Sequence, residues 1–541
     1  MLPALKKLWH GETDGMTAAA LIVGAASLAS RLLGLVRDRM LAGTFGAGDA
    51  LDAYYAAFRL PDLLYNLLIV GALSAGFIPV FTEYLERRGK EEAMRLAGQV
   101  LSVVAFALAI GSILLALFAP WVVSLLVPAF GPEKMEQTVL LTRIMMLSPV
   151  FLGISAVLGG VLQSLRRFTA FAFAPVLYNV GIIGGVLFLA PSIGVVGVAI
   201  GVVVGAILHM LLQASVAGTL GVGWPPLPRL SSEGVRRIVR LMLPRSAGLA
   251  VTQLNVLLLT GLASGVGSGA VAVFSFANNI QSFPFALLGL PFAIAAFPLL
   301  SRAMGSGDEK AFASALLQAM RKTLFFLLPA MALCLLLRAQ IVRLVLGQGA
   351  FDWTDTIRTA DTLAWFVPSL FAQALVALFA RAFYARQDTW TPVTIGIVSE
   401  AVGIACAFWL RGPFGVAGLA MAFSVAAVLQ AGLLLLMLSR RVPFLSCREL
   451  WPTVWKTSLA CLVALIFAYP VRQWIGTVYQ LREVWQLALQ AGLTMVVGGV
   501  SFTGMLFLSK SRELQEVVRA VSARLWRKAN LGESAAEAGR T

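Results

Sequence analysis

Several ionisable side chains lie where ionisable side chains are costly. Arg31, Arg37 and Asp38, with Arg39 close behind, fall in one long apolar run; Asp52 and Arg59 fall in the next. Arg143, Arg245 and Glu400 fall in later ones. A charge at the centre of a bilayer costs ~2.5–3.5 kcal/mol on insertion scales, so each must face a polar interior rather than lipid. Arginine binds phosphate oxygens through a planar fork and stays charged in a dry site, so a set rich in Arg and poor in acids suits an anion. Arg31 and Asp38 are seven residues apart, two helical turns, and are expected on one face. Arg37 lies about 120° round from Arg31. A second reading stands beside the anion grip: Arg37 with Asp38, and Asp52 with Arg59, are mutual pairs that lock helix packing. Glu400 is the one acid deep in the second half of the chain. With Gln253 and Asn255 it reads as a proton or Na⁺ site, or equally as a neutral hydrogen-bonding acid.

The elements that carry these groups are membrane helices. Of 541 residues 59% are hydrophobic and 13% charged, with a mean hydropathy of +0.86. Soluble chains are nearer half apolar and a quarter charged, so a soluble enzyme and a disordered chain are both excluded. Two His and four Cys leave little for a metal centre or a disulfide framework. The net charge of +16 does not indicate nucleic acid, because Lys and Arg fall in short gaps between apolar runs rather than on one basic face.

A crossing helix needs ~20 mostly apolar residues. That window gives fourteen spans, near 17–37, 51–82, 96–118, 137–163, 169–190, 193–217, 238–263, 270–301, 322–346, 358–384, 390–410, 414–438, 455–471 and 483–508. Basic residues concentrate in the even-numbered gaps and at both ends of the chain: Arg87, Arg88 and Lys90; Arg166 and Arg167; Arg236 and Arg237; Arg302 and Lys310; Arg440 and Arg441. The gaps near Pro191 and Gly267 have none, and the one near Gly131 has only Lys134; Arg338, Arg343, Arg411, Arg472 and Arg482 are exceptions that weaken the contrast in the second half without reversing it. Even loops and both termini are therefore expected in the cytoplasm. Leu514, Val517, Val518, Val521 and Leu525 recur at helical spacing among Arg519, Arg524 and Arg527, which reads as an amphipathic helix on the inner leaflet.

Three landmarks repeat at an offset of 219: Pro79 with Pro298, Pro149 with Pro368, and Arg167 with Arg386. Span 2 then maps onto span 8 and span 4 onto span 10. An even number of helices separates the copies, so the halves share one orientation. The expected architecture is all-α: a cytoplasmic N-terminus 1–16, an N-lobe 17–217 of six spans, a C-lobe 238–438 of six, an appended pair over 455–508, and a basic tail 509–541. Two such lobes would enclose a cleft and rock to give alternating access.

Longer motifs add a resemblance. Ser30-Arg31-Leu32-Leu33-Gly34-Leu35-Val36-Arg37-Asp38, Phe45-Gly46-Ala47-Gly48, Asp52-Ala53 and Phe58-Arg59-Leu60-Pro61 resemble the opening of the MurJ/MviN family. Phe77-Ile78-Pro79, Arg167-Phe168, Ala174-Pro175 and Phe383-Tyr384-Ala385-Arg386-Gln387-Asp388 with Thr391-Pro392 continue it along nearly the whole chain. The resemblance implies a lipid II flippase of the bacterial inner membrane, in the multidrug/oligosaccharidyl-lipid/polysaccharide exporter superfamily, with a cationic cavity for a lipid-linked pyrophosphate–sugar head group. It implies Arg31, Arg37, Asp38 and Asp52 as functional positions; Arg59 and Asn279 join them as candidate cargo contacts. Where the family often has basic groups, this chain has Tyr65-Asn66 in span 2 and Asn278-Asn279 before Phe283-Pro284. Flipping of another undecaprenyl-linked saccharide, or ion-coupled drug export, are the alternatives within the superfamily. A membrane-embedded transferase would need clustered carboxylates in its loops, which are short and carboxylate-poor. The expected partners are a lipid-linked precursor and membrane lipids, not nucleic acid, for a monomer with no cofactor beyond Na⁺ or H⁺ as coupling ion.

Overall fold

The computed structural model describes residues 16–70, 76–223, 228–229, 231–478, 483–519 and 522. Its described elements are helices, and they follow the expected order of spans. Span 1 is Met16–Phe45. Span 2 starts as Asp49–Tyr65, passes through a π turn at Asn66–Val70, and ends in Ile78–Arg87. Spans 3 to 6 are Lys90–Leu117, Pro132–Ser164, Phe168–Ile193 and Val195–Leu220. Spans 7 to 9 are Glu233–Ser264, Ala270–Gly305 and Glu309–Leu336. Span 10 is broken, with Trp353–Phe366 and Ser369–Ala385 meeting at 42°. Spans 11 and 12 run on as Trp390–Arg441 with a break at Gly415, and spans 13 and 14 are Cys447–Val478 and Val484–Leu508.

The internal repeat is written into these irregularities. Pro61 and Pro284 each remove an N–H from the helix ladder, and a π turn follows in both spans. The π turns are Asn66–Val70 and Phe285–Gly289, an offset of 219 (66 to 285). Lys90–Leu117 and Glu309–Leu336, each 28 residues, keep that offset. Beyond them it becomes 221. Pro132–Met145 and Ser148–Ser164 match Trp353–Phe366 and Ser369–Ala385 in length. The left-handed residues Arg166 and Gln387 also match at 221, as do the breaks at Gly194 (φ 60°) and Gly415 (φ 56°). Two of the three sequence landmarks are therefore two residues out of register. Pro149 sits in the first turn of its helix, whereas Pro368 is the N-cap of the matching one. Leu165, not Arg167, corresponds to Arg386 as the helix-ending residue.

Glycine lets spans 5 and 6 come into close contact. Gly181 and Gly185 of span 5 face Gly201 and Gly205 of span 6, and a Cβ on Gly181 would come within 2.3 Å of Gly205 Cα. Small residues spaced by four let two backbones touch where lipid supplies no hydrophobic drive between helices.

The chain divides into two compact units. The first comprises 1–276, 345–359 and 404–419, and the second 277–344, 360–403 and 420–541. A core of Phe77, Phe81, Leu101, Val161 and neighbours fills the first. In the second, Phe312, Leu316, Phe379, Phe383 and Leu434 pack together. The second unit also holds the start of the tail. Helix 512–519 lays Leu514 and Val517 against Phe325, Ala460 and Leu506, so this part of the expected leaflet helix docks on spans 9, 13 and 14. Burial would raise the Glu513 carboxyl, but the hydroxyls of Thr453 and Ser511 donate to it and hold it below its ordinary value. Val521, Arg524, Leu525 and Arg527 lie outside the described residues, as do Lys6 and Lys7.

Candidate functional site

The charged groups of the first unit form two clusters. In one, Arg37 of span 1 donates through Nε and Nη2 to Asp38 Oδ1 (3.0 and 2.8 Å) and through Nη1 to Asn179 Oδ1 of span 5 (3.2 Å). Asn179 Nδ2 donates in turn to the Ser30 carbonyl and hydroxyl, both 3.3 Å, and to the Pro175 carbonyl. Ser30 and Arg37, seven residues apart, thus make the face that meets span 5. Arg31 and Asp38 do not share a setting as expected. Asp38 is 3% exposed, whereas Arg31 is exposed and has no hydrogen-bond or ion-pair partner among the described residues. The expected Arg37–Asp38 pair is present, and it is cross-braced to another helix.

The expected Asp52–Arg59 pair is absent. Asp52 is wholly buried in the first turn of span 2, where its Oδ2 accepts from Lys134 Nζ at 2.6 Å. It also accepts two backbone amides from the start of span 8, Gly269 N at Oδ2 and Ala272 N at Oδ1, both 2.8 Å. A helix begins with unpaired N–H groups and a partial positive charge, so a carboxylate from another helix caps span 8 from outside. Lys134 also reaches Asp49 at 2.7 Å. Around this clasp, Ala47 N donates to Asp355, Ala350 N to the Gly43 carbonyl, Arg39 to Gln348, and Arg358 to the Ser268 carbonyl. Gly269 is required here: at φ 76°, a Cβ on it would lie 1.7 Å from the Ala47 carbonyl oxygen. The segment joining spans 1 and 2 is thereby sealed to the 268–272 and 348–358 segments of the second repeat.

Arg59 turns instead to neutral groups. Its Nε donates to Thr260 Oγ1 of span 7 (3.0 Å) and its Nη2 to Ser275 Oγ of span 8 (3.2 Å). One turn further on, half-buried Asp62 lies within electrostatic range of Arg59 and Arg37 without pairing to either. Sequence reasoning missed three members of this region. Lys134 read only as a loop charge, Asn179 is neutral, and Asp62 passed without notice beside Pro61. The signals were there: Lys134 is the lone basic residue of its gap, and Asp62 follows Arg59 at one-turn spacing.

The remaining candidates are scattered. Arg143 is exposed and donates to the Ala116 carbonyl at the end of span 3. The Arg245 side chain lies outside the described residues. Asn255 is buried and Gln253 half-buried on span 7 in the first unit, whereas Glu400 is half-buried on span 11 in the second. Asn279 is half-buried on span 8. The corrected register gives Glu400 a counterpart: 400 less 221 is 179, the position of Asn179. Where span 5 uses an amide to tie down span 1, span 11 carries an acid. In span 8, 219 residues on, the counterparts of Arg59 and Asp62 are Asn278 and Gln281.

Comparison with known proteins identifies the family. A sequence model described as lipid II flippase MurJ matches residues 41–489. A lipid II flippase MurJ of Burkholderia cenocepacia is 32% identical over 78% of this chain and 84% of its own length. Among solved structures, a lipid II flippase MurJ in an inward closed conformation superposes with a TM-score of 0.75 at 22% identity, over 92% of this chain and all of that one. An inward-facing multidrug resistance MATE transporter of the MOP superfamily superposes at 0.66 and 17% identity, over 79% of this chain and 98% of its own. The helical fold is common to them, and with most of its length matched the chain is a multi-pass membrane protein that belongs to the lipid II flippase MurJ family.

Proposed function

We propose that the chain carries lipid II, the undecaprenyl-pyrophosphate-linked peptidoglycan precursor, from the cytoplasmic to the outer leaflet of the bacterial inner membrane by alternating access. Membership of the family supports the cargo. The observation that carries the mechanism is the Asp52 clasp, in which span 2 of one repeat caps span 8 of the other through charge and backbone amides. A closure made of a few polar contacts, rather than a broad apolar interface, is one that can open and re-form. In this reading loop charge sets the clasp on the outer side, where it serves as the outer closure. In this reading Arg31 and Arg59 hold the pyrophosphate. Arg31 is exposed without a partner among the described residues, and Arg59 has hydrogen bonds to hydroxyls but no ion pair among the described residues. Translocation needs no bond to be made or broken, and the chain acts as a transporter rather than an enzyme.

The test is complementation. In a bacterium depleted of its lipid II flippase, this chain is expected to restore growth and delivery of lipid II to the outer leaflet. Growth arrest with the protein present in the membrane overturns the cargo assignment. Topology is checked in the same cells with Gly131→Cys and Ser306→Cys, both at exposed positions without positive φ. Membrane-impermeant maleimide is expected to label the first from outside and to spare the second. Reversed labelling overturns the orientation.

Glu400 is proposed as the coupling site for Na⁺ or H⁺, since it is the acid that one repeat has and the other lacks. Glu400→Gln keeps shape and hydrogen bonding but removes the charge. It is expected to bind cargo normally while its transport no longer responds to imposed pH or Na⁺ gradients. A parental response places coupling elsewhere.

A further inference from the structure

Span 2 presents Tyr55, Arg59 and Asp62 at i, i+4 and i+7, on one helical face. Two of the three polar groups on that face are without a hydrogen-bond partner among the described residues. The Tyr55 hydroxyl is buried and makes no hydrogen bond. The Asp62 carboxylate makes no side-chain hydrogen bond or ion pair among the described residues, although Arg59 and Arg37 lie within electrostatic range. An unpaired buried hydroxyl is costly and rare, and with a half-buried unpaired carboxylate on the same face, beside an arginine bonded only to neutral groups, it needs a reason.

Simple charge balance is a poor one. Arg37 already has Asp38 at 2.8 Å, and a carboxylate meant for Arg59 would sit against it rather than leave it to two hydroxyls. The surroundings suggest another role. The chain has 8 Tyr, and four of them, Tyr54, Tyr55, Tyr65 and Tyr178, gather here, each within electrostatic range of Asp62, Arg37 or another of the four. Tyrosine offers a flat apolar body and a polar tip, and a carboxylate accepts from two adjacent donors at once. Aromatic rings, a free carboxylate and arginines together suit a sugar diphosphate: arginine for the phosphates, carboxylate for hydroxyl or amide N–H donors, rings for the sugar faces. The second repeat has amides, Asn278 and Gln281, at the matching positions, so this face is specific to the first.

We infer that Asp62 and Tyr55 read the saccharide attached to a polyprenyl diphosphate, Asp62 by accepting from its hydroxyl or amide donors and Tyr55 through its free hydroxyl. The inference rests on the flippase reading above and adds the residues that tell a sugar-bearing diphosphate from a bare one. A site built to pair with a donor rejects the analogue that lacks it, because its own polar groups are then left unpaired.

The experiment measures binding of two probes to the full-length protein in lipid nanodiscs: polyprenyl diphosphate, and the same lipid carrying an N-acetylated aminosugar. The parent is expected to prefer the sugar-bearing probe. Asp62→Asn is expected to weaken that probe by about 10- to 100-fold, the range for a hydrogen bond to a charged group, and to leave the bare diphosphate bound at least as tightly. Tyr55→Phe, which removes only an oxygen, is expected to weaken the sugar-bearing probe several-fold and the bare one not at all. Equal losses for both probes, or none for either, overturn the assignment. Thermal unfolding of each variant in the same nanodiscs separates lost binding from lost fold; if Asp62→Asn unfolds early, the decision passes to Tyr55→Phe. If the parent binds neither probe, the flippase reading itself fails. If the parent binds both equally, that reading stands and only the sugar-reading role falls.

Discussion

Replacing Asp52 by Asn is expected to open the outer side of the protein and to reduce transport at least tenfold. The carboxylate is wholly buried and holds three donors, Lys134 Nζ and the amides of Gly269 and Ala272. An asparagine of the same size keeps one acceptor oxygen but turns an N–H₂ group toward those donors, and it leaves the Lys134 ammonium, 13% exposed, facing no charge but Asp49. Removing one member of a buried charge pair costs ~3–5 kcal/mol. Each 1.4 kcal/mol is a factor of ten in an equilibrium, so the clasped state loses about two to three and a half orders of magnitude in population relative to states in which the clasp is already undone. Ala272, wholly buried under the clasp, reports on this: an Ala272→Cys probe is expected to react with external maleimide about 10- to 100-fold faster in the Asp52→Asn background. If Asp52 were a cargo ligand, transport would fall with labelling unchanged. If it were ordinary packing, both would stay near the parent. Lys134→Met tests the same contact from the other side, and because the two residues touch, the effects of the single variants should not add.

That clasp marks the limit of what the residues disclose in advance. The helices were legible because each needs a long apolar stretch and each gap carries its own charge signature. The repeat was legible because proline and arginine recur with a fixed spacing. Its register was not, because two prolines can be matched by identity while occupying different steps of a helix start, as Pro149 and Pro368 do. The Arg37–Asp38 pair was readable from adjacency alone. Asp52 was recognised as significant, but its real partners are backbone amides 217 and 220 residues away and a lysine 82 away, and periodicity names no backbone partner. Asn179 escaped for a related reason: a search for charges passes over the amide that positions one. In the tail, an apolar stripe beside arginines suits a lipid surface, and the pattern does not disclose that Leu514 and Val517 also pack on protein.

Arg31 and Arg37 stand six residues apart in one helix, and their loss is expected to have opposite signatures. Arg31 is exposed and without a partner among the described residues, so Arg31→Ala should leave accumulation and thermal stability within about 0.5 kcal/mol of the parent. If it grips the pyrophosphate, the lost charge-assisted hydrogen bonds, about 1.5–3 kcal/mol, lower transport by about 10- to 100-fold. Arg37→Ala removes the guanidinium that both Asp38, 3% exposed, and Asn179 accept from. Taking away one member of a buried ion pair costs ~3–5 kcal/mol, enough to cut the amount of folded protein in the membrane. Arg37→Lys should rescue little, since an ammonium cannot span Asp38 and Asn179 as the planar fork does. The decisive variant removes both charges. A buried ion pair replaced by apolar groups of similar size is often neutral for stability, so Arg37→Met with Asp38→Leu is expected to restore accumulation. Transport by that double variant at the parental rate would make the pair a brace between spans 1 and 5 and leave the anion to Arg31 and Arg59. Restored accumulation with transport still absent would add Arg37 to the grip, with Asp38 holding its fork in place until the phosphates arrive.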